Sequence, residues 1–370
     1  MSTSFNFKNT LLVLTLIITT LVSAQEPPLK LGVAGLTHGH VGWILGRGQQ
    51  PDMNMVGIVE PNQELAIKLS KEFGFSMDIV FSTMDEMINM VNPDAVAAFG
   101  NIKDHLKVVK ACAPKGIHVM VEKPLATTYD DAKEIKRLAD THNIRVLTNY
   151  ETSWYKTNVK AIDLYQQGEI GELRKVIIRD GHKGPKNIGV SSEFLEWLTD
   201  PNLNGGGAIT DFGCYGANLM TWITKGKRPK SITAVTQQLQ KENNPNVDDD
   251  ATIILTYENE MAILEPSWNW PIGRKDMELY GTKGAIYSDN PTQLRIRLSK
   301  GYSDYTEETF LLGEREEPYN DPFAVFAAVI NGTLQLEPYN VYSLENNMIT
   351  MEILESAIKS AKSGKTILLN

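Results

Sequence analysis

From Leu29 onward, short apolar runs alternate with amphipathic stretches. The runs Leu29–Ala34, Met55–Val59, Ala95–Phe99, His118–Val121 and Arg145–Thr148 read as strands, and helical periodicity fills Glu64–Phe73 and Ala132–Ala139 between them. Thr128, with Asp131 three positions on, supplies a helix-start signal for the second of these. Such alternation predicts βαβ units around a parallel sheet, with ligands at the carboxyl ends of the strands. Past Asn149 the rhythm changes. A helical segment Trp154–Gln167 leads into Leu173–Ile178, and then Ser231–Gln238, Ala251–Tyr257, Met261–Ser267, Met277–Tyr280 and Leu294–Leu298 follow as strands without helices between them. That pattern predicts an antiparallel sheet in an α+β domain. The chain closes on a helix with the stripe Leu344, Met348, Met351, Leu354, Ile358 and Ala361, stopped by Gly364 and read as core packing.

The first residues stand apart from this pattern. Lys8 is the only charge before the apolar run Leu11–Val22, and Val22-Ser23-Ala24 offers the small residues of a cleavage site. The run is shorter than the roughly 20 residues a membrane-spanning helix needs. Residues 1–24 are therefore expected to be a signal peptide, and the chain from Gln25 to be exported, periplasmic or secreted, and free of the membrane. Composition narrows the partners. The 370 residues carry 36 basic and 45 acidic side chains, a net charge of −9, which lacks the clustered cations that a nucleic-acid binder requires. A small molecule is the expected partner. The two cysteines, Cys112 and Cys214, fall in different predicted domains and are expected to be buried free thiols.

Candidate chemistry begins in Gly32-Val33-Ala34-Gly35-Leu36-Thr37-His38-Gly39-His40, between the first strand and a helix. A dinucleotide fold needs a tight turn there, so that backbone N–H groups meet a pyrophosphate. The G-x-G-x-x-G spacing falls on Gly35, Thr37 and His40 and keeps only its first glycine. Glu60 closes the second strand where a carboxylate would accept from a ribose diol and repel a 2′-phosphate, so NAD is favoured over NADP. Asn101 and His105, beyond the strand Ala95–Phe99, and Glu122 complete the cofactor candidates. His38 and His40 alone offer a metal too few ligands without a nearby carboxylate or thiol, and no metal site is expected.

Glu122-Lys123-Pro124 places a lysine at the sheet's carboxyl edge, where its ammonium can steady a developing alkoxide. Asn204-Gly205-Gly206-Gly207-Ala208 precedes a helix on which Asp211 and Tyr215 share one face. A tyrosine starts near pKa 10 and needs a neighbouring cation to move protons near neutrality. Glu151 and Trp154 follow the last parallel strand, His182 lies beyond the next, and Ser267-Trp268-Asn269-Trp270-Pro271 mixes aromatic faces with polar groups as carbohydrate sites do. Glu151, Trp154, His182 and Trp268 are the substrate candidates. The run Asp248-Asp249-Asp250 reads as a solvated turn.

Across the chain from Gln25 onward, the sequence resembles the Gfo/Idh/MocA oxidoreductases. The resemblance rests on the first turn, Val121-Glu122-Lys123-Pro124, Gly168-Glu169-Ile170-Gly171-Glu172, the glycine-rich helix start and Ser360-Ala361-Lys362-Ser363-Gly364-Lys365. It implies a Rossmann domain over 29–148, then an α+β domain over 149–370 with a mostly antiparallel sheet. It also implies hydride transfer between a nicotinamide cofactor and a sugar, cyclitol or related alcohol. The family's catalytic lysine maps to Lys123 and its aspartate to Asp211. Where most members have a histidine, this chain has Tyr215, similar to the branch with glucose-fructose oxidoreductase and dimeric dihydrodiol dehydrogenase. In that scheme Tyr215 takes the hydroxyl proton, Lys123 lowers its pKa, and Asp211 orients the substrate. An exported member would hold its cofactor tightly. Two other classes stay open: an NAD-dependent glycosidase working through transient oxidation, and a sugar- or cofactor-binding protein without turnover. An exposed face of the antiparallel sheet would suit a homo-oligomer.

Overall fold

The computed structural model describes residues 27–369; the leader expected at 1–24 lies outside them. Six strands build the first sheet: β1 (Leu29–Ala34), β2 (Met53–Val59), β3 (Val80–Phe81), β4 (Ala95–Ala98), β5 (His118–Glu122) and β6 (Val146–Asn149). Their order is β3-β2-β1-β4-β5-β6 and every pairing is parallel. The strand order reverses between β1 and β4, so a crevice opens at their carboxyl ends. These strands are apolar along their length because both faces are covered: Leu31 and Val33 enter one core, Ala34, Val96 and Ala98 the other. Local chemistry starts the helices between them. The Asn62 side chain accepts from the Glu64 and Leu65 N–H groups, and Thr128 from that of Asp131.

The second sheet has nine strands: β7 (Leu173–Gly181), β8 (Ser231–Gln237), β9 (Asp250–Thr256), β10 (Met261–Ser267), β11 (Arg274–Gly281), β12 (Gly284–Ser288), β13 (Gln293–Ser299), β14 (Tyr305–Leu311) and β15 (Ile367–Leu368). They lie in the order β14-β13-β12-β11-β7-β10-β9-β8-β15. Only the β7–β10 pair is parallel. Helices Gly213–Ile223 and Leu344–Ser363 cover one face of this sheet. The carboxyl-terminal helix also reaches the first domain: the Tyr129 N–H donates to Glu355 and the Tyr150 hydroxyl to Asn347, both at 2.9 Å. One apolar cluster runs from Leu31, Val33 and Leu147 to Val176, Leu264 and Ile353, so the two sheets share a core. Cys112 and Cys214 are buried and unpaired. Among the described residues, no helix is long and apolar enough to cross a membrane.

Candidate active site

The first turn leaves β1 at Gly35, whose φ is +82° and where a Cβ would sit 2.8 Å from the Gly100 Cα. Glycine is required there. The next residue, Leu36, donates its N–H to Glu60 at 2.9 Å, and Asn62 donates to the other Glu60 oxygen at 2.9 Å. Glu60 thus stands at the carboxyl end of β2, fixed beneath the turn. Burial pushes its carboxyl above the usual range although both N–H groups pull it down.

His38 is buried, its Nδ1 accepting the His40 N–H at 3.0 Å. Its ring packs against Phe194 and Trp197, with centroids 4.8 and 5.5 Å away. His40 stacks on Trp43 at 3.7 Å, and its Nδ1 lies 2.9 Å from a Glu122 oxygen. The second Glu122 oxygen accepts from Asn149 at 2.7 Å. The histidine pair therefore does have a carboxylate beside it, contrary to the premise on which a metal was set aside. Ligand atoms of His38, His40 and Glu122 lie within 4.8 Å of one another. The accepting Nδ1 leaves the neutral His38 ring's hydrogen on Nε2, whereas the hydrogen between His40 Nδ1 and Glu122 can sit on either partner. Burial above all holds both imidazoles well below their ordinary values, so both are neutral at neutral pH.

Lys123 follows β5 and reaches the start of the helical segment after the glycine-rich turn. Its Nζ donates to the Asp211 carboxylate and, at 3.0 Å, to the Asp211 carbonyl. The Trp268 indole donates to the other Asp211 oxygen at 2.9 Å. Burial works against both charges, but the pairing outweighs it, so Lys123 lies above and Asp211 below its usual value. Tyr215, one helical turn on, places its ring centroid 5.2 Å from the Lys123 Nζ. Among the described residues its hydroxyl makes no hydrogen bond. Burial, then Glu151, Cys214 and Asp211, pushes this phenol well above its ordinary value. The expectation that Lys123 lowers it is corrected, because the charge of Lys123 is already matched by Asp211.

A second ion pair faces the first. Lys275 on β11 bonds Glu151, which also accepts the Tyr155 hydroxyl at 2.6 Å. The Lys275 Nζ lies 5.4 Å from the Tyr215 ring centroid. Asp180 sits opposite Lys275 in the β7–β11 register, buried and with Oδ1 unpartnered, and burial drives its carboxyl well up. His182 accepts the Gly184 N–H on Nδ1 at 3.0 Å and is held below its ordinary value by burial. The neutral ring carries its proton on Nε2 and acts as a donor.

One cavity of about 570 Å³ joins Thr37, His38 and His40 of the first turn to Lys123, Glu151, His182, Asp211, Tyr215 and Lys275. Other candidates stand elsewhere. Asn101 caps its own turn by accepting the Asp104 N–H, and His105 is buried with Nδ1 3.2 Å from the Leu125 carbonyl; neither lines the cavity. Trp154 packs edge-on against Trp43 at 4.5 Å. Trp268 is fully buried behind Asp211, so it offers no face to a sugar and serves the carboxylate instead. The acidic run 248–250 is no solvated turn either: Asp249 is 0% exposed, and its carboxylate accepts the Leu239 and Gln240 N–H groups at 2.7 and 2.6 Å. Lys275 had a signal in the sequence, since it shares the strand face of Met277 and Leu279, where a cation is out of place.

Comparison with known proteins agrees with this architecture. Residues 29–150 match a model described as an oxidoreductase family with an NAD-binding Rossmann fold, and residues 159–287 match the Gfo/Idh/MocA carboxyl-terminal domain. A trans-1,2-dihydrobenzene-1,2-diol dehydrogenase of Xenopus tropicalis is 27% identical over 182 residues, 49% of this chain and 51% of that protein. The chain thus spans about half the length of the dihydrodiol dehydrogenases it matches. A 2,7-anhydro-N-acetylneuraminate hydratase of Mediterraneibacter gnavus is 22% identical over 312 residues, 80% of this chain and 76% of that one. Among solved structures, an inositol dehydrogenase homolog from Azotobacter vinelandii complexed with NAD+ superposes with a TM-score of 0.80 at 17% identity, over 93% of this chain and 98% of that chain. An aldose-aldose oxidoreductase from Caulobacter crescentus, complexed with glycerol, does so with 0.74 at 19%, over 92% and 100%. With both of its characteristic domains matched in order, the chain belongs to the Gfo/Idh/MocA family of oxidoreductases.

Proposed function

We propose that this protein transfers hydride between NAD and a hydroxyl-bearing carbon of a sugar, glycoside or related polyol, with Lys123, Tyr215 and Asp211 at the reacting centre. The observation that carries this reading is the single cavity in which the Lys123–Asp211 pair and the free Tyr215 hydroxyl meet the turn after β1. The residues there suit the cofactor. Gly35 keeps the tight turn from which Leu36, Thr37 and His38 enter the cavity, and Glu60 braces that turn from beneath by accepting the Leu36 N–H. Bound NAD would supply the hydride acceptor or donor.

The chain's own residues handle the proton and the charge. Tyr215 stays protonated across the neutral range, so it donates to a carbonyl oxygen as that oxygen gains negative charge. The Lys123 ammonium, held charged by Asp211, stabilises the same oxygen electrostatically. In the opposite direction the hydroxyl proton must reach a deprotonated Tyr215, so alcohol oxidation is expected to accelerate toward alkaline pH and carbonyl reduction to slow. Glu151, Lys275 and the Nε2–H of His182 face the same space with acceptors and donors for further hydroxyls. The similarity to an inositol dehydrogenase homolog and an aldose-aldose oxidoreductase supports a polyhydroxylated substrate. The leader expected at residues 1–24 supports export, and an exported enzyme would retain its cofactor between turnovers.

The test is to purify the mature protein from its native compartment, identify any released nucleotide by mass and absorbance, and follow absorbance of the intact protein against a panel of sugars and glycosides. Stoichiometric NAD(H) whose spectrum changes with a sugar is the expected result. Glycoside cleavage without lasting redox change would replace this reading with a glycosidase, and failure to bind NAD would remove it.

A further inference from the structure

The turn Gly205-Gly206-Gly207 has no side chains with which to hold itself, yet it must fix where Asp211 begins. Flexible glycines carry the largest conformational entropy to be lost on ordering. The helical segment Ala208–Asp211 that follows has no side-chain cap of its own, and its first N–H groups lack intrahelical partners. Those donors are met from about forty residues away. The Asp248 carboxylate accepts the Gly207 N–H at 3.0 Å with one oxygen and the Ile209 N–H at 2.7 Å with the other, while its carbonyl accepts the Ala208 N–H at 3.1 Å. Three successive amides of the turn thus converge on one residue. A Cβ on Gly207 would run into that same carbonyl.

The neighbouring acids lock Asp248 to the other side of the site. Asp249 is anchored by the Leu239 and Gln240 N–H groups and by Asn269 at 3.0 Å, and its carbonyl accepts the Trp268 N–H at 2.8 Å. Trp268 is the residue whose indole holds Asp211. One short acidic run therefore fixes both the main chain from which Asp211 projects and the donor that orients its carboxylate. We propose that Asp248 is a positioning residue, capping the glycine-rich turn from a distance so that Asp211 meets Lys123. This rests on the reading of Lys123 and Asp211 as the reacting centre, but the contact it predicts can be measured without substrate.

The experiment compares full-length Asp248→Asn, which keeps volume and one acceptor, with Asp248→Ala. Thr83→Ala, which removes the cap of the helix Met84–Val91, a helix that contributes no residue to the cavity, serves as the control for a helix cap lost elsewhere. Lys123 is followed by NMR in uniformly ¹³C,¹⁵N-labelled protein through its Cε and Nζ signals, assigned by their loss in Lys123→Arg. With the Asp211 carboxylate displaced, Lys123 is expected to titrate about one pH unit lower in both Asp248 variants and unchanged in the control. On any sugar the wild type turns over, kcat should fall about tenfold or more with KM little altered. Unchanged Lys123 titration in Asp248→Asn and Asp248→Ala overturns the proposal. If Lys123 shifts while the wild type turns over no sugar, the positioning role stands and the proposed activity falls.

Discussion

Two turns feed the site, and they treat glycine differently. The turn after β1 keeps only the first of three spaced glycines and fills the remaining positions with Thr37 and His40, beside His38. The turn before Asp211 keeps all three of its glycines in a row. At Gly207 the constraint is protein against protein, because the backbone of Asp248 occupies the space a side chain would need. At the first turn the later positions border a cavity and the edge of an aromatic ring: a Cβ on Gly39 would lie 3.3 Å from Phe194 carbons. Glycine is indispensable where main chain meets main chain. Where it faces a ligand or a side chain, other residues can take its place and bring chemistry with them.

The largest effect expected at either turn is catalytic. Tyr215→Phe or Lys123→Ala should lower turnover about a hundred- to ten-thousandfold while leaving the melting temperature of Tyr215→Phe near that of the wild type. Next comes the direct contrast of glycines. Gly207→Ala should cost about 3 kcal/mol of stability in denaturant unfolding, and Gly39→Ala less than about 1 kcal/mol. Similar losses at both positions would erase the distinction.

The turns should also separate along pH. His38 at the first turn has a folded pKa below its unfolded value of about 6.5, so the unfolded chain binds protons first and stability falls as pH drops from there. Asp211 at the second is depressed, and its contribution is fully present above an unfolded value near 3.9 and is lost only as pH falls toward its folded value. Melting temperatures from pH 8 to 3 should therefore flatten in the upper window for His38→Ala and in the lower one for Asp211→Asn. The smallest effect concerns exchange. Removing the ring of His38 from between the first turn and Phe194 should speed release of bound NAD about tenfold, measured by isotope exchange.

Legibility along the chain followed the physics of burial. The five main strands of the parallel sheet were readable because they are apolar on both faces, and the Thr128 cap because it is local. The pattern said nothing of β14, whose residues are exposed on both sides and so carry no alternation, nor of β3, which is two residues long. Lys123, Asp211 and Tyr215 could be picked out by residue type and place. Their electrostatics could not: the Lys275–Glu151 pair joins positions far apart in sequence, and it helps decide the charge around Tyr215. Trp268 and the acidic run are illegible for one reason: composition does not distinguish an open side chain from a buried one, here an indole held by the Asp211 carboxylate and an Asp249 carboxylate held by backbone amides.

The carboxyl-terminal helix has a wider consequence. Because Glu355 bonds Tyr129, Asn347 bonds Tyr150 and Ile353 lies in an apolar cluster shared with β1, a helix about two hundred residues downstream completes the scaffold of the first domain. The boundary near residue 149 is thus a division of the sequence rather than of the unfolding equilibrium. The described chain is expected to melt in one cooperative transition, and a ribosome-bound or proteolysed fragment ending before Leu344 would hold neither half of the site.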